Sequence, residues 1–122
     1  MSEFGRRIRP SVEREILAAY QAEEQGQPGM AFSHLERAHI LGQTSTVEHV
    51  RVHWHMFLWG IRHRNLGECL GQLIRIVGAA IGTSLGLVPQ GNTGGTNVNP
   101  FQSMSIPPDL AALIDKARTS GK

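Results

Sequence analysis

Three short interruptions constrain this chain more than anything else in it. GQPG at 26–29, GQTS at 42–45 and NLG at 65–67 divide it into stretches whose apolar residues recur every three or four positions, not every second. Glycine and proline end regular structure, and a three-to-four spacing is the mark of an amphipathic helix. Turns this short send each helix back along its predecessor. The expected class is therefore all-α, with four to five helices in antiparallel hairpins.

The boundaries follow from local signals. Residues 1–10 read as a flexible arm ending at Pro10, and 11–118 as a single helical domain. Residues 119–122 read as a disordered tail. Ser11 stands where an N-cap belongs, with Glu13 and Glu15 in the turn after it. The first helix is expected over Ser11–Gln25, with Val12, Ile16, Ala19 and Tyr20 on one face. The second, Gly29–Leu41, places Ala31, Phe32, Leu35, Ala38 and His39 inward. The third, Thr46–Arg64, carries an apolar stripe of Val47, Val50, Trp54, Phe57, Leu58 and Ile61, with Trp54, Phe57 and Trp59 expected in the core, although Trp59 sits opposite the stripe. The fourth, Glu68–Leu87, carries Leu70, Leu73, Val77, Ile81 and Leu85 on one side. Glycines 71, 78, 82 and 86 weaken this helix by about 1 kcal/mol each relative to alanine, so packing must hold it. A last short helix begins at Asp109.

A weak internal repeat aligns Phe32, Leu35 and Arg37 with Leu70, Leu73 and Arg75. Two tetratricopeptide-like hairpins are implied, although the unit is longer than usual. Between helix four and the last helix lies PQGNTGGTNVNPFQSMSIPP, at 89–108. So long a loop in a small domain is often functional or wrapped onto the body. Phe101, Met104 and Ile106 are candidates to tether it.

Composition removes several function classes. The chain has 122 residues, with 40% hydrophobic and 18% charged, which is globular and enough for one core. Its net charge is only +2 and its arginines are scattered, so no nucleic-acid footprint is implied. The lone cysteine, Cys69, forbids an internal disulfide and suits a reducing, cytoplasmic setting. The N-terminal stretch has no apolar core of a secretory signal. The most apolar run, Leu73–Val88, is short for a membrane span and contains Arg75.

Chemistry concentrates between His34 and His63, which hold all six histidines. The turn between helices two and three centres near Thr44. His39 lies five residues before that centre and His49 five after, so they face each other across the hairpin. His49 and His53 are four apart and share a helix face, and Glu36 stands three before His39. An E-x-x-H opposite an H-x-x-x-H is a pattern that helical metal sites use. The predicted ligand set is Glu36, His39, His49 and His53, for zinc, iron, nickel or copper(II). The helical wheel places His39 within its apolar stripe and Glu36 further round, so convergence requires an offset interface. The alternative is a core His39 bonded to a carbonyl or to Glu36, with partly exposed His49 and His53. His34 and His55 read as surface residues, His63 as a helix-dipole partner and Glu23 as a possible further carboxylate.

HLERAHILGQ, the H-x-x-x-H of His49 and His53, and VPQGNTGGTNVNPFQSMSIPPDL together resemble a small bacterial family, domain of unknown function 3703. The resemblance covers roughly residues 11–114 and implies a compact helical protein. Some members appear beside heavy-metal resistance and efflux genes, which implies a metal-related role. It marks His34, Glu36, His39, His49, His53 and the Asn92–Asn97 loop as family motifs and carries no activity. Two roles are thus expected. One is a small cytoplasmic transition-metal-binding protein. The other is an interaction module, or a homodimer, that docks through the 89–108 loop.

Overall fold

The computed structural model describes residues 2–86, 91–96 and 103–119. Five helices follow in order: α1 (Glu3–Glu24), α2 (Pro28–Gly42), α3 (Thr46–Arg62), α4 (Leu66–Ser84) and α5 (Pro108–Thr119). No strand occurs among the described residues. The helix starts are chemically marked. Ser2 accepts a hydrogen bond from Gly5 N at 2.9 Å, Ser45 from Glu48 N at 3.4 Å and Asn65 from Glu68 N at 3.0 Å. Each cap satisfies an amide that the helix itself leaves unpaired. Pro28 opens α2, where its missing N–H costs nothing.

The α1–α2 and α3–α4 hairpins pack most extensively. The α3 helix also rests on α2 and α1, and α5 covers α1 and α2. Their shared core holds Ile8 and Val12 of α1, Leu35 and Leu41 of α2, Val52 and Met56 of α3, and Leu110 and Ile114 of α5. Helix α4 is the edge element, and among the described residues the only helix it packs against is α3. Close approach at that contact depends on Gly60, where an added Cβ would lie 2.9 Å from Cys69 Sγ.

Two expectations are corrected. Helix α1 begins at Glu3, so residues 3–10 of the expected arm are helical and Pro10 lies inside the helix. Proline within a helix costs about 3 kcal/mol. Fully buried Ile8 returns most of this, since burying such a side chain is worth roughly 1.5–3 kcal/mol. Arg7 also ties the segment to α5 by donating to the Ala117 carbonyl.

The second correction concerns the apolar stripes of α3 and α4. Val47, Trp54 and Ile61 are exposed, as are Leu70, Leu73, Val77, Ile81 and Leu85. Trp59, although opposite the stripe, packs against the core and Phe32, as expected. Helix α4 turns its polar side inward, burying Glu68, Cys69, Gln72 and Ala79. An amphipathic pattern shows that a helix has two faces; which one is buried depends on the partners it finds. Here Glu68 and Gln72 find theirs inside.

Those partners lie largely in the glycine-rich loop. Gly91 N donates to Gln43 Oε1 at 3.1 Å, Gln72 and Arg75 donate to the Gly94 carbonyl, and Thr96 donates to Glu68. Residues 91–96 therefore fold onto the helices. Ile106 packs against the core and Met104 is half-buried, while Phe101 lies outside the described residues.

Candidate metal centre

Helix α2 ends and α3 begins around a tight turn that Gly42 makes possible. A Cβ there would stand 2.8 Å from Glu48 Cβ, so only glycine lets the two helices meet so closely. This contact sets His39, near the end of α2, opposite the first turns of α3. His49 and His53 project toward it from successive turns of α3. All three imidazoles are buried. Their ring centroids lie 4.6–4.9 Å apart.

The three rings meet through one kind of nitrogen. His39 Nε2 is 2.9 Å from His49 Nε2 and 3.1 Å from His53 Nε2. One ligand atom from each residue lies within 4.8 Å of the other two, making a metal-capable group among the described residues. A tetrahedral ion with 2.0–2.1 Å bonds holds neighbouring ligand nitrogens about 3.3 Å apart. The separations of His39 Nε2 from His49 Nε2 and from His53 Nε2 need to open by only a few tenths of an ångström to match.

The opposite ring nitrogens determine what the inward ones carry. His39 Nδ1 lies 2.6 Å from the Asn92 carbonyl, which can only accept, so Nδ1 bears the proton. His53 Nδ1 meets Gln72 Oε1. The Gln72 amide group already donates to Glu68 and to the Gly94 carbonyl, so its oxygen faces His53. His53 Nδ1 therefore donates as well. In both neutral rings Nε2 is left as a bare lone pair. His49 Nδ1 lies 2.7 Å from Thr83 Oγ1, a hydroxyl able to accept or donate. If Thr83 accepts, three lone pairs converge. If it donates, His49 Nε2–H bonds to His39, and His53 Nε2 still faces His39 with no proton between them. Neither arrangement satisfies the cluster by hydrogen bonds alone.

Extra protons are disfavoured. Burial, followed by the neighbouring His53 and His49, pushes the His39 pKa well below its ordinary value. Burial and then His53 lower His49 to about 3. Burial lowers His53 to about 4, although its bond to Gln72 works the other way. The rings are neutral near pH 7, the form in which imidazole binds metals.

Outside the rings lies a supporting network. Gln72 is fully buried and joins His53 to Glu68. Glu68 in turn accepts from Thr96 Oγ1 at 2.9 Å. Arg75 reaches the Gly94 carbonyl at 2.9 Å, and Gly94 N donates to Asn92 Oδ1 at 2.9 Å. Gly94 has φ +83°, and a Cβ there would stand 2.5 Å from His39 Cδ2 and 2.8 Å from Nε2. The loop thus closes over the His39 ring with bare backbone.

Of the four residues expected as ligands, the structure brings His39, His49 and His53 together. Glu36 stands outside that group. It is half-buried one turn back on α2, and burial together with the charge of Glu68 raises its pKa. The other histidines are paired elsewhere. His34 meets Glu15 at 2.8 Å, His55 meets the Tyr20 hydroxyl at 2.9 Å, and His63 meets Glu23 at 2.8 Å. Glu23, a possible further carboxylate, is thereby held at His63 and Arg62. His34 and His55, expected on the surface, are half-buried. Sequence reasoning missed Asn92, Gly94, Gln72 and Thr83 as supports. The unusual length and glycine content of the loop was the available signal for the first two. Nothing in the spacing of α4 distinguishes Gln72 from a solvent-facing glutamine.

Comparison with known proteins places the chain in a family. Residues 6–114 match the model described as "Protein of unknown function (DUF3703)", and the chain belongs to that family. The match begins at Arg6, within the segment that α1 now includes. No curated protein and no solved structure matches it.

Proposed function

We propose that this member of the DUF3703 family binds one divalent transition-metal ion through the Nε2 atoms of His39, His49 and His53. The single observation that carries this reading is the meeting of Nε2 lone pairs, with the outer nitrogens of His39 and His53 fixed as donors. A cation resolves that conflict, as hydrogen bonds within the trio do not. Nitrogen ligation of this kind suits zinc, nickel, iron or copper(II), and a buried tetrahedral arrangement favours zinc. Asn92, Gln72 and Thr83 would orient the rings from behind, as outer partners do in metal sites. Glu68, reached through Gln72, and Glu36 would offset the ion's charge. Water or a small anion would complete the coordination.

The role that follows is the handling or sensing of a metal in the cytoplasm. The buried rings and closed loop support retention of the ion rather than rapid turnover. Metal content of the purified, tag-free protein, read by mass spectrometry after zinc or cobalt loading, tests this. One equivalent is expected, with the visible absorption of tetrahedral cobalt, and both disappear in His49→Gln and His53→Gln. Substoichiometric metal that these substitutions leave unchanged would reject the reading. A second role, as an interaction module of helical hairpins, is favoured by the apolar face that α3 and α4 leave open.

A further inference from the structure

Helix α4 presents Leu66, Leu70, Leu73, Ile74, Val77 and Ile81 outward, each between 47% and 80% exposed. Leu66, Leu70, Leu73 and Val77 follow the alternating four-and-three spacing of a coiled-coil seam. On α3, Val47, Val50, Trp54, Phe57 and Ile61 follow the same rule, and Val47, Trp54 and Ile61 are exposed. The two helices are neighbours in one hairpin, so their seams lie side by side.

We propose that this face is the interface of a homodimer, in which the α3–α4 hairpins of two copies form a four-helix bundle about a twofold axis. Three observations choose a second copy as the occupant. First, nine large apolar residues of the two helices are 46–80% exposed, a patch larger than the few hundred Å² of a typical monomer and of the order of the ~800 Å² each partner gives to a standard interface. Second, the pattern complements itself. Two antiparallel helices with matched seams pack onto an identical pair, and a twofold contact requires a surface that fits its own copy. An added Cβ at exposed Gly78 meets nothing within 4 Å, leaving room for a partner helix to approach closely. Third, the face lacks what a lipid surface needs. A membrane-surface helix carries lysine and arginine along its polar side. The one basic residue of α4, Arg75, is directed to the Gly94 carbonyl. On α3, Arg51 and Arg62 are engaged by Glu48 and Glu23.

This assignment moves the expected contact from the 89–108 loop to the α3–α4 face, and it stands independently of any metal. It also supplies the packing that the glycine-rich α4 requires.

Light scattering coupled to size-exclusion chromatography, in the presence of chelator, tests it. The chain mass is 13.4 kDa, and a species of twice that mass is expected. The Val77→Asp/Ile81→Asp variant should run as a monomer with unchanged helical circular dichroism. The same pair of charges at Leu17 and Met30, exposed on α1 and α2, should leave the dimer intact. The wild-type protein gives a second readout that needs no variant. Trp54 should resist acrylamide quenching at high protein concentration and become quenchable on dilution. A wild-type monomer with freely quenched Trp54 overturns the proposal. So does a dimer indifferent to Val77→Asp/Ile81→Asp, or a monomer that partitions onto anionic vesicles.

Discussion

Acidification of the metal-free protein exposes the energetics of the histidine cluster directly. In the unfolded chain each imidazole titrates near 6.5; in the folded protein burial lowers His49 to about 3 and His53 to about 4, and places His39 well below its ordinary value. Folded values below unfolded ones mean that the unfolded state binds more protons throughout the interval between them. Stability is therefore complete above 6.5 and is lost as pH falls from there toward 4 and 3. At pH 5, protonation favours the unfolded chain by about 2 kcal/mol for each of His49 and His53, from 1.36 kcal/mol per pH unit below 6.5. His49 and His53 together give an upper bound of roughly 4 kcal/mol, to which His39 adds in the same direction, against the 5–15 kcal/mol total stability of an ordinary domain. Glu36 acts in the opposite direction. Its raised pKa lets the folded state take up a proton early, recovering a small part of the loss. Urea denaturation in chelator, followed by circular dichroism at pH 7, 6 and 5, measures the slope. His49→Gln should reduce the loss between pH 7 and 5 by about 2 kcal/mol, one histidine's share. A wild-type stability flat across that interval, or an identical slope in His49→Gln, would show that the rings are not held neutral and would refute the reasoning.

Other outcomes follow from the same geometry. Gly94→Ala sets a Cβ against the His39 ring at a backbone angle that alanine rarely adopts; a cost of about 1–3 kcal/mol and weaker zinc binding are expected in denaturation and competition titrations. Gln72→Leu removes the acceptor for His53 Nδ1 and should weaken metal affinity about 10–100-fold while preserving helical content, measured by chelator competition. Gly60→Ala drives a methyl group into Cys69 Sγ and should destabilise the α3–α4 hairpin by about 1–3 kcal/mol in urea, without altering metal stoichiometry. Zinc at a hundredfold excess over its Kd should raise wild-type stability by about 2.7 kcal/mol, and excess chelator should reverse the gain in a thermal scan.

The helices themselves were legible because their signals are local. Ser45 and Asn65 cap α3 and α4, and the breaks at 26–29, 42–45 and 65–67 separate neighbouring elements. Half of the cluster geometry was equally accessible. Positions 49 and 53 share a face on any helix, and 39 lies opposite 49 whenever the turn is short. Glu36 required more, since a residue three positions back points some 60° away, and the rotation of α2 about its own axis decides where it ends up. The early start of α1 was hidden because Pro10 argues locally for a break, whereas Ile8 and Arg7 find their partners in a distant core and at Ala117.

By itself, then, the amino-acid order determined the breaks between the first four rods, which of them are neighbours, and that three imidazoles lie near one hairpin corner. Spacing along a helix and the length of a turn are sufficient for that. Tertiary structure decided the inward direction of α4 and the closure of the corner by Asn92 and Gly94. Both depend on contacts between residues more than twenty positions apart, such as Gln72 with Gly94 and His39 with Asn92. Polar groups move inward only when a partner offsets their loss of water, and no periodicity along one helix records where that partner stands.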